Sequence, residues 1–134
     1  MARDVYLTLY DEYEAPIFAI ISESEQRHMD AMKSLIVKYG LVDPVKDDDA
    51  VGVFTNTDFA QLYEALVMQG EQSYCAAIQV GIDIENLDIG DIENALLNVV
   101  EAGDVEIVLN NLLDGSYNHL NSFTNHYMAA GCQE

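Results

Sequence analysis

The sequence predicts an all-α protein, with four main helices in one bundle, a long crossover loop and one short extra helix. Three observations carry this. Apolar residues recur at alternating spacings of three and four along most of the chain, the stripe a helix turns toward a bundle core. Pro16 stands where a helix would start, and Gly40 and Gly131 stand where helices would stop. One long stretch, 40–57, lacks helical periodicity and is long enough to lead the chain from one end of a bundle to the other. The 134 residues suit a single domain, 1–134, burying roughly two-thirds of its unfolded surface.

Taken in order, residues 2–14 read as a first helix with Val5, Tyr6, Leu9 and Tyr13 on one side. Helix two runs over Pro16–Tyr39 and reaches roughly 36 Å at about 1.5 Å per residue. Its seam is Phe18, Ile21, Glu25, His28, Met32, Leu35 and Tyr39. Glu25 and His28 stand there in place of Leu or Ile. A carboxylate is costly to bury unless it is paired or bound to a metal. After the crossover, Asn56 or Thr57 caps helix three. That helix spans about 58–86, with Cys75, Ile78, Ile82 and Glu85 on one seam. Gly70 and Gly81 interrupt it, and interior Gly costs about 1 kcal/mol against Ala. Their presence points to close packing or a nearby ligand. Asp88 reads as the cap of a short helix, 89–100. Asp104 reads as the cap of the last, about 105–130, with the seam Leu109, Leu112, Ser116, His119, Phe123 and His126.

Charge excludes some functions. With 24 acids against 5 Lys and Arg, the net charge is -19. Such a surface repels nucleic acid and anionic lipid and attracts cations. No run of about 18 apolar residues is present, so no membrane span is expected. No basic-then-apolar leader is present either. The chain by itself reads as cytoplasmic, and as extracytoplasmic if its N-terminus is a processed one. Cys75 and Cys132 form no zinc signature. On antiparallel helices both lie toward the same end, about 15 and 20 Å from Glu85 and His119. A cytosolic chain would keep them reduced, and an exported one could join them. Asp47-x-Asp49-x-x-Gly52 echoes a calcium loop, but Val51 replaces an oxygen ligand, so an acidic solvated loop is expected.

Glu25, His28, Glu85 and His119 fall on core-facing stripes of three helices. Carboxylate plus imidazole is a ligand set for iron, manganese or zinc. In carboxylate di-iron bundles two helices give one Glu each and two give Glu-x-x-His. Here one Glu-x-x-His is intact, and the last helix has Ser116-x-x-His119 instead. The facing level on helix one is residues 1–4, where only Asp4 could ligate. Asp4 reads rather as a first-turn acid favoured by the helix dipole. His126 reads as a helix-end histidine, and Tyr6, Tyr74 or Tyr117 could hydrogen-bond to the cluster. The competing reading is a buried hydrogen-bonded polar cluster that needs no metal.

The segments ARDVY, SESEQRHMDAMKSLIVKYGLVDP, VGVFTN, LYEALVMQGEQS, VGIDIENLDI and NLLDGSYNHLNSF resemble a ferritin-like family of bacteria and archaea, domain of unknown function 2202. The resemblance covers about 2–125 and rests most on SExxH and GSxNHL. It implies a ferritin-like four-helix bundle that binds metal, and no established reaction. Glu25 and His28 match the SExxH pair, Glu85 the Glu after the glycine-containing third helix, and His119 the NHL histidine. Family members carry an acidic run before ARDVY, and its Glu, about one turn before Ala2, is missing here. The departure implies a truncated or processed form, a site short of one ligand, or a site completed by a neighbouring subunit.

Two functions of different class follow as expectations. One is a ferritin-like metal-binding protein of the di-iron or di-manganese carboxylate type, a metal-dependent oxidoreductase toward oxygen or peroxide. Glu25 and Glu85 would then clamp the metals, with His28 and His119 as terminal ligands. The other is a non-catalytic structural subunit of an oligomer or filament that has lost a complete site. Metal ions and further copies of the chain are the expected partners.

Overall fold

The computed structural model describes residues 1–45, 49–99 and 103–133. Among these residues it contains five α-helices and no strand: α1 (Ala2–Tyr13), α2 (Pro16–Lys38), α3 (Thr57–Gly70), α4 (Tyr74–Leu97) and α5 (Asp104–Ala129). The expected helical bundle is therefore present, but its third helix is not one piece. Tyr13 Oη donates to the Gly70 carbonyl at 2.6 Å. Leu9 fills the space beside Gly70, where a Cβ would come within 2.7 Å of its methyl carbon. Ser73 then caps a new helix, accepting from the Ala76 amide at 3.0 Å. The break falls where α1 presses on the chain and a capping serine follows.

The second correction concerns 89–100. No separate short helix starts at Asp88, because α4 runs unbroken to Leu97 with Asp88 inside it. The short extra helix is α3 instead. Asn56 caps it as expected, accepting from the Asp58 and Phe59 amides. Nor does Asp104 cap α5. Gly103 holds the N-cap position, and Asp104 accepts from Lys38 and Tyr39 at the end of α2. Gly40 and Gly131 do end their helices, at φ values of +64° and +70° that favour glycine.

α1 turns back along α2 through Glu14, and α4 packs most extensively on α5; α3 lies over α1 and α4. The fully buried rings of Tyr6, Phe18 and Phe123 meet at the centre, with centroids 5.3 to 6.4 Å apart. Each such ring buries about 150–250 Å². Gly81 makes the fit possible, because a Cβ there would lie 2.6 Å from the Phe123 ring. The α2 seam is buried only in its first half. Phe18, Ile21 and Glu25 are inside, whereas Met32 and Tyr39 are exposed. The 12-residue α1 covers only part of the 23-residue α2.

Arg3 and Asp4 fasten the crossover. Arg3 donates to the Asp49 carbonyl and to Gln26, and Asp4 accepts from Arg3 and from the Gly52 amide. Asp47, the first oxygen of the calcium-loop reading, lies outside the described residues. No helix among the described residues is long and apolar enough to cross a membrane.

Cys75 at the start of α4 and Cys132 just beyond α5 are joined in a disulfide, with Cα atoms 5.4 Å apart. It closes a loop across a separation of 57 residues. In the chain-entropy picture such a loop stabilises by about 4 kcal/mol. Reduction, or Cys132→Ser, should lower unfolding free energy by about that much in a urea titration.

Candidate metal centre

The aromatic core passes directly into a polar chamber. Tyr6 Oη donates to Glu85 Oε1 at 2.7 Å, so one side chain belongs to both. Of the three tyrosines considered from sequence, Tyr6 alone makes this bond. Tyr117 bonds Glu93, and Tyr74 packs its ring on Tyr13.

The helices bring the predicted residues together at one level. His119 Nδ1 lies 3.2 Å from Glu25 Oε1 and 3.3 Å from Glu85 Oε1. One ligand atom each from Glu25, Glu85 and His119 can be chosen so that all three lie within 4.8 Å of one another. All three residues are buried, Glu85 completely. His28 stands beside this triplet rather than in it. Its Nδ1 is 3.6 Å from Glu25 Oε2, and its ring stacks on that of His119 at 5.6 Å. Asp4 is taken up by Arg3 and Gly52, and His126 is exposed and bonds the Ser122 carbonyl.

Two residues that sequence reasoning missed hold the imidazoles. Ser24 Oγ lies 2.9 Å from His119 Nε2. If Nε2 carries the proton and donates to Ser24, Nδ1 presents a lone pair between the two carboxylates. Gly115 on α5 lies against the edge of the His28 ring, where a Cβ would come within 2.7 Å of Cε1 and Nε2. Ser24 is the Ser of SExxH and Gly115 the Gly of GSxNHL, but their contacts cross between helices, so the motifs alone do not show what each one touches.

The chamber holds orphaned polar atoms. Glu25 Oε1, Glu85 Oε2 and His119 Nδ1 are buried without a hydrogen-bond partner. The Nδ1 distances are short, but the geometry is not that of a hydrogen bond. Burial disfavours charge on Glu25, yet His119 and His28 outweigh it and hold its carboxyl at about 2. Burial likewise opposes a charged His119, but Glu25 and Glu85 raise it to about 9. Glu85 is shifted up, by burial first and by Glu25 next. Half-buried Asp88, one helical turn beyond Glu85, is pushed to about 8 by burial and by the Glu25 and Glu85 charges. Two carboxylates, an imidazole and unpaired lone pairs suit a hard or borderline divalent cation. Residues 25, 85 and 119 fit that role, with ligand atoms within 4.8 Å of one another.

Fold and site together define a class: an all-helical bundle with a buried Glu, Glu and His group at its centre. The chain belongs to the family of the uncharacterized protein domain DUF2202, whose profile matches residues 1–133. It is 49% identical over 123 residues to the uncharacterized protein MJ0754 of Methanocaldococcus jannaschii, a match covering 92% of this chain and 65% of that protein. The crystal structure of hypothetical protein MJ0754 from Methanococcus jannaschii superposes with a TM-score of 0.92 at 46% identity. That superposition covers 97% of this chain and 73% of the other.

Two outcomes follow. Gly115→Ala should push the His28 imidazole off its stack, seen as a large shift of its ring proton resonances with the helical circular dichroism unchanged. The second concerns the chelator-treated protein. The stabilising contribution of Glu25 is fully present above about pH 4.5 and lost as pH falls toward 2. That of His119 is fully present below about pH 6.5 and lost as pH rises through 9. Asp88 adds a loss between about pH 3.8 and 8, because unfolding frees it to ionise. The melting temperature should therefore peak in the mildly acidic range and fall toward pH 9. A flat profile over the alkaline half would contradict these assignments.

Proposed function

We propose that this protein is a ferritin-like metal-binding protein of the di-iron or di-manganese carboxylate type, acting as an oxidoreductase. The observation that carries the reading is the set of three buried, unpartnered ligand atoms on Glu25, Glu85 and His119. Buried polar groups are almost always satisfied, and a cation held by these three side chains would give them a partner. The order of ligand-bearing helices supports the ferritin-like part: Glu-x-x-His on α2, Glu on α4 and His on α5.

Glu25, Glu85 and His119 would hold the metal, with His28 as a terminal ligand at the edge. Bound iron or manganese supplies one-electron redox chemistry toward dioxygen or peroxide. The chain does the rest. Tyr6 fixes the Glu85 carboxylate, and Ser24 holds the His119 ring by its Nε2. Ser116, buried one turn before His119, stands where a second Glu-x-x-His would carry its carboxylate. The Tyr6, Phe18 and Phe123 rings close the inner side to water.

Protein stripped with chelator and reloaded anaerobically with iron(II) or manganese(II) should retain at least about one ion per chain by elemental analysis. His119→Ala should lose it, and His28→Ala should reduce retention. A chain that retains neither metal after loading sinks the proposal.

A further inference from the structure

The aromatic rings close the inner side of the chamber, and its outer side is built differently. Beyond His28 lies a cavity of about 260 Å³, walled by Met29, Met32, Ile36 and Leu112 as well as by His28 itself. The His28 ring is half-buried, with Nδ1 3.6 Å from Glu25 Oε2 and its plane stacked on that of His119. A molecule in the cavity therefore stands one imidazole away from the Glu25, Glu85 and His119 triplet.

Size and lining narrow what such a molecule is. A cavity of about 150 Å³ lined by Leu, Ile and Phe holds benzene. At about 260 Å³ this one takes a single substituted ring. Its walls suit a ring face: two thioethers, which make favourable contacts with aromatic rings, two branched aliphatic side chains and an imidazole. Besides His28, the charged members among the described residues are Asp30, Asp43 and Asp49 against Lys33. Lys33 stands at i+3 from Asp30 on α2, where the two charges offset each other. The remaining carboxylates accept O–H donors and repel carboxylates and phosphates. A carboxylate offers about four acceptor positions. Asp30 uses one on the Gln26 amide group and Asp43 one on the Val45 backbone amide.

We propose that this cavity is the substrate site of the oxidoreductase, and that its substrate is an uncharged monocyclic phenol serving as electron donor. The inference rests on the metal-binding reading above and names what that centre oxidises. Met29, Met32, Ile36 and Leu112 take the ring, the rim carboxylates accept hydrogen bonds from its hydroxyl groups, and His28 separates it from the triplet by a single side chain. The reaction balances with peroxide as the oxidant. A hydroquinone gives up two O–H protons and two electrons and becomes the quinone. Peroxide gains both, its O–O bond breaks, and two waters leave.

The test is calorimetric titration of hydroquinone, and separately of benzoate, into the chelator-treated and the manganese(II)-loaded protein, as wild type and as Met32→Trp. Hydroquinone should bind both forms of the wild type at one site, and benzoate about tenfold more weakly or not at all. Met32→Trp places an indole in the cavity without touching Glu25, Glu85 or His119. It should weaken hydroquinone binding by about tenfold, with metal retention and helical circular dichroism unchanged. With peroxide added, the loaded wild type should form quinone faster than Met32→Trp at subsaturating hydroquinone, followed by quinone absorbance. No hydroquinone binding to the wild type, benzoate binding as tight as hydroquinone, or equal binding or equal quinone formation in Met32→Trp overturns the substrate site and leaves the metal-binding reading standing. A wild type that retains no metal overturns that reading and the substrate role with it, whatever the titration gives. Should Met32→Trp fail to fold, nuclear Overhauser contacts between the hydroquinone ring protons and the methyl groups of Met32 and Leu112 decide the matter, and their absence overturns the site.

Discussion

The interaction on which this structure depends is the burial of Glu25, Glu85 and His119 against one another. Removing an ion from water costs several kcal/mol even after the protein relaxes. Three ionisable groups in one chamber are tolerable only because each is restrained from another helix. Tyr6 comes from α1, Ser24 from α2 and the His119 ring itself from α5. The mutual compensation of charges is visible in opposite directions: Glu25 is held acidic, Glu85 and Asp88 are driven up, and His119 is made more basic. A cation bound as proposed would relieve these shifts together, because it would replace proton sharing with ligation.

The packing around the chamber is shaped to keep those groups where they are. Small residues sit where two large ones must meet: Gly81 under Phe123, Gly70 beside Leu9 and Gly115 against His28. Interior glycines weaken a helix, and each here is offset by a ring or branched side chain lying against bare backbone. The Arg3 and Asp4 network does the same service for the crossover, tying its end back to the first turn of α1.

Much of this was legible in the sequence, for identifiable reasons. Helix ends signalled by Pro16, Gly40, Asn56 and Gly131 were readable because capping is local chemistry. Glu25, Glu85 and His119 were readable because a polar residue on an otherwise apolar stripe is conspicuous. The break at Gly70 was misplaced because its cause is the contact with Leu9 and Tyr13, more than fifty residues away. Asp88 was mistaken for a cap because Asp favours helix starts, although its spacing from Glu85 was the signal that it continues the same face. Ser24 and Gly115 stand in the SExxH and GSxNHL motifs, yet their roles could not be read there, since each matters for what the neighbouring helix presents. The C-terminal half of α2 kept an apolar seam that is only partly covered, with Leu35 half-buried and Met32 and Tyr39 exposed, a reminder that periodicity reports a face and not its partner.

The Cys75–Cys132 link divides the chamber's parentage unevenly. Glu85 and His119 both lie inside the covalent ring formed by α4, α5 and the bridge, whereas Glu25 and His28 lie outside it. Half of the chamber is thus clasped permanently and half is leaned against it. Any partial opening separates α2 from a hairpin that cannot splay at that end, so the molecule parts along one seam, like a hinged case whose back is riveted and whose lid carries the remaining two side chains.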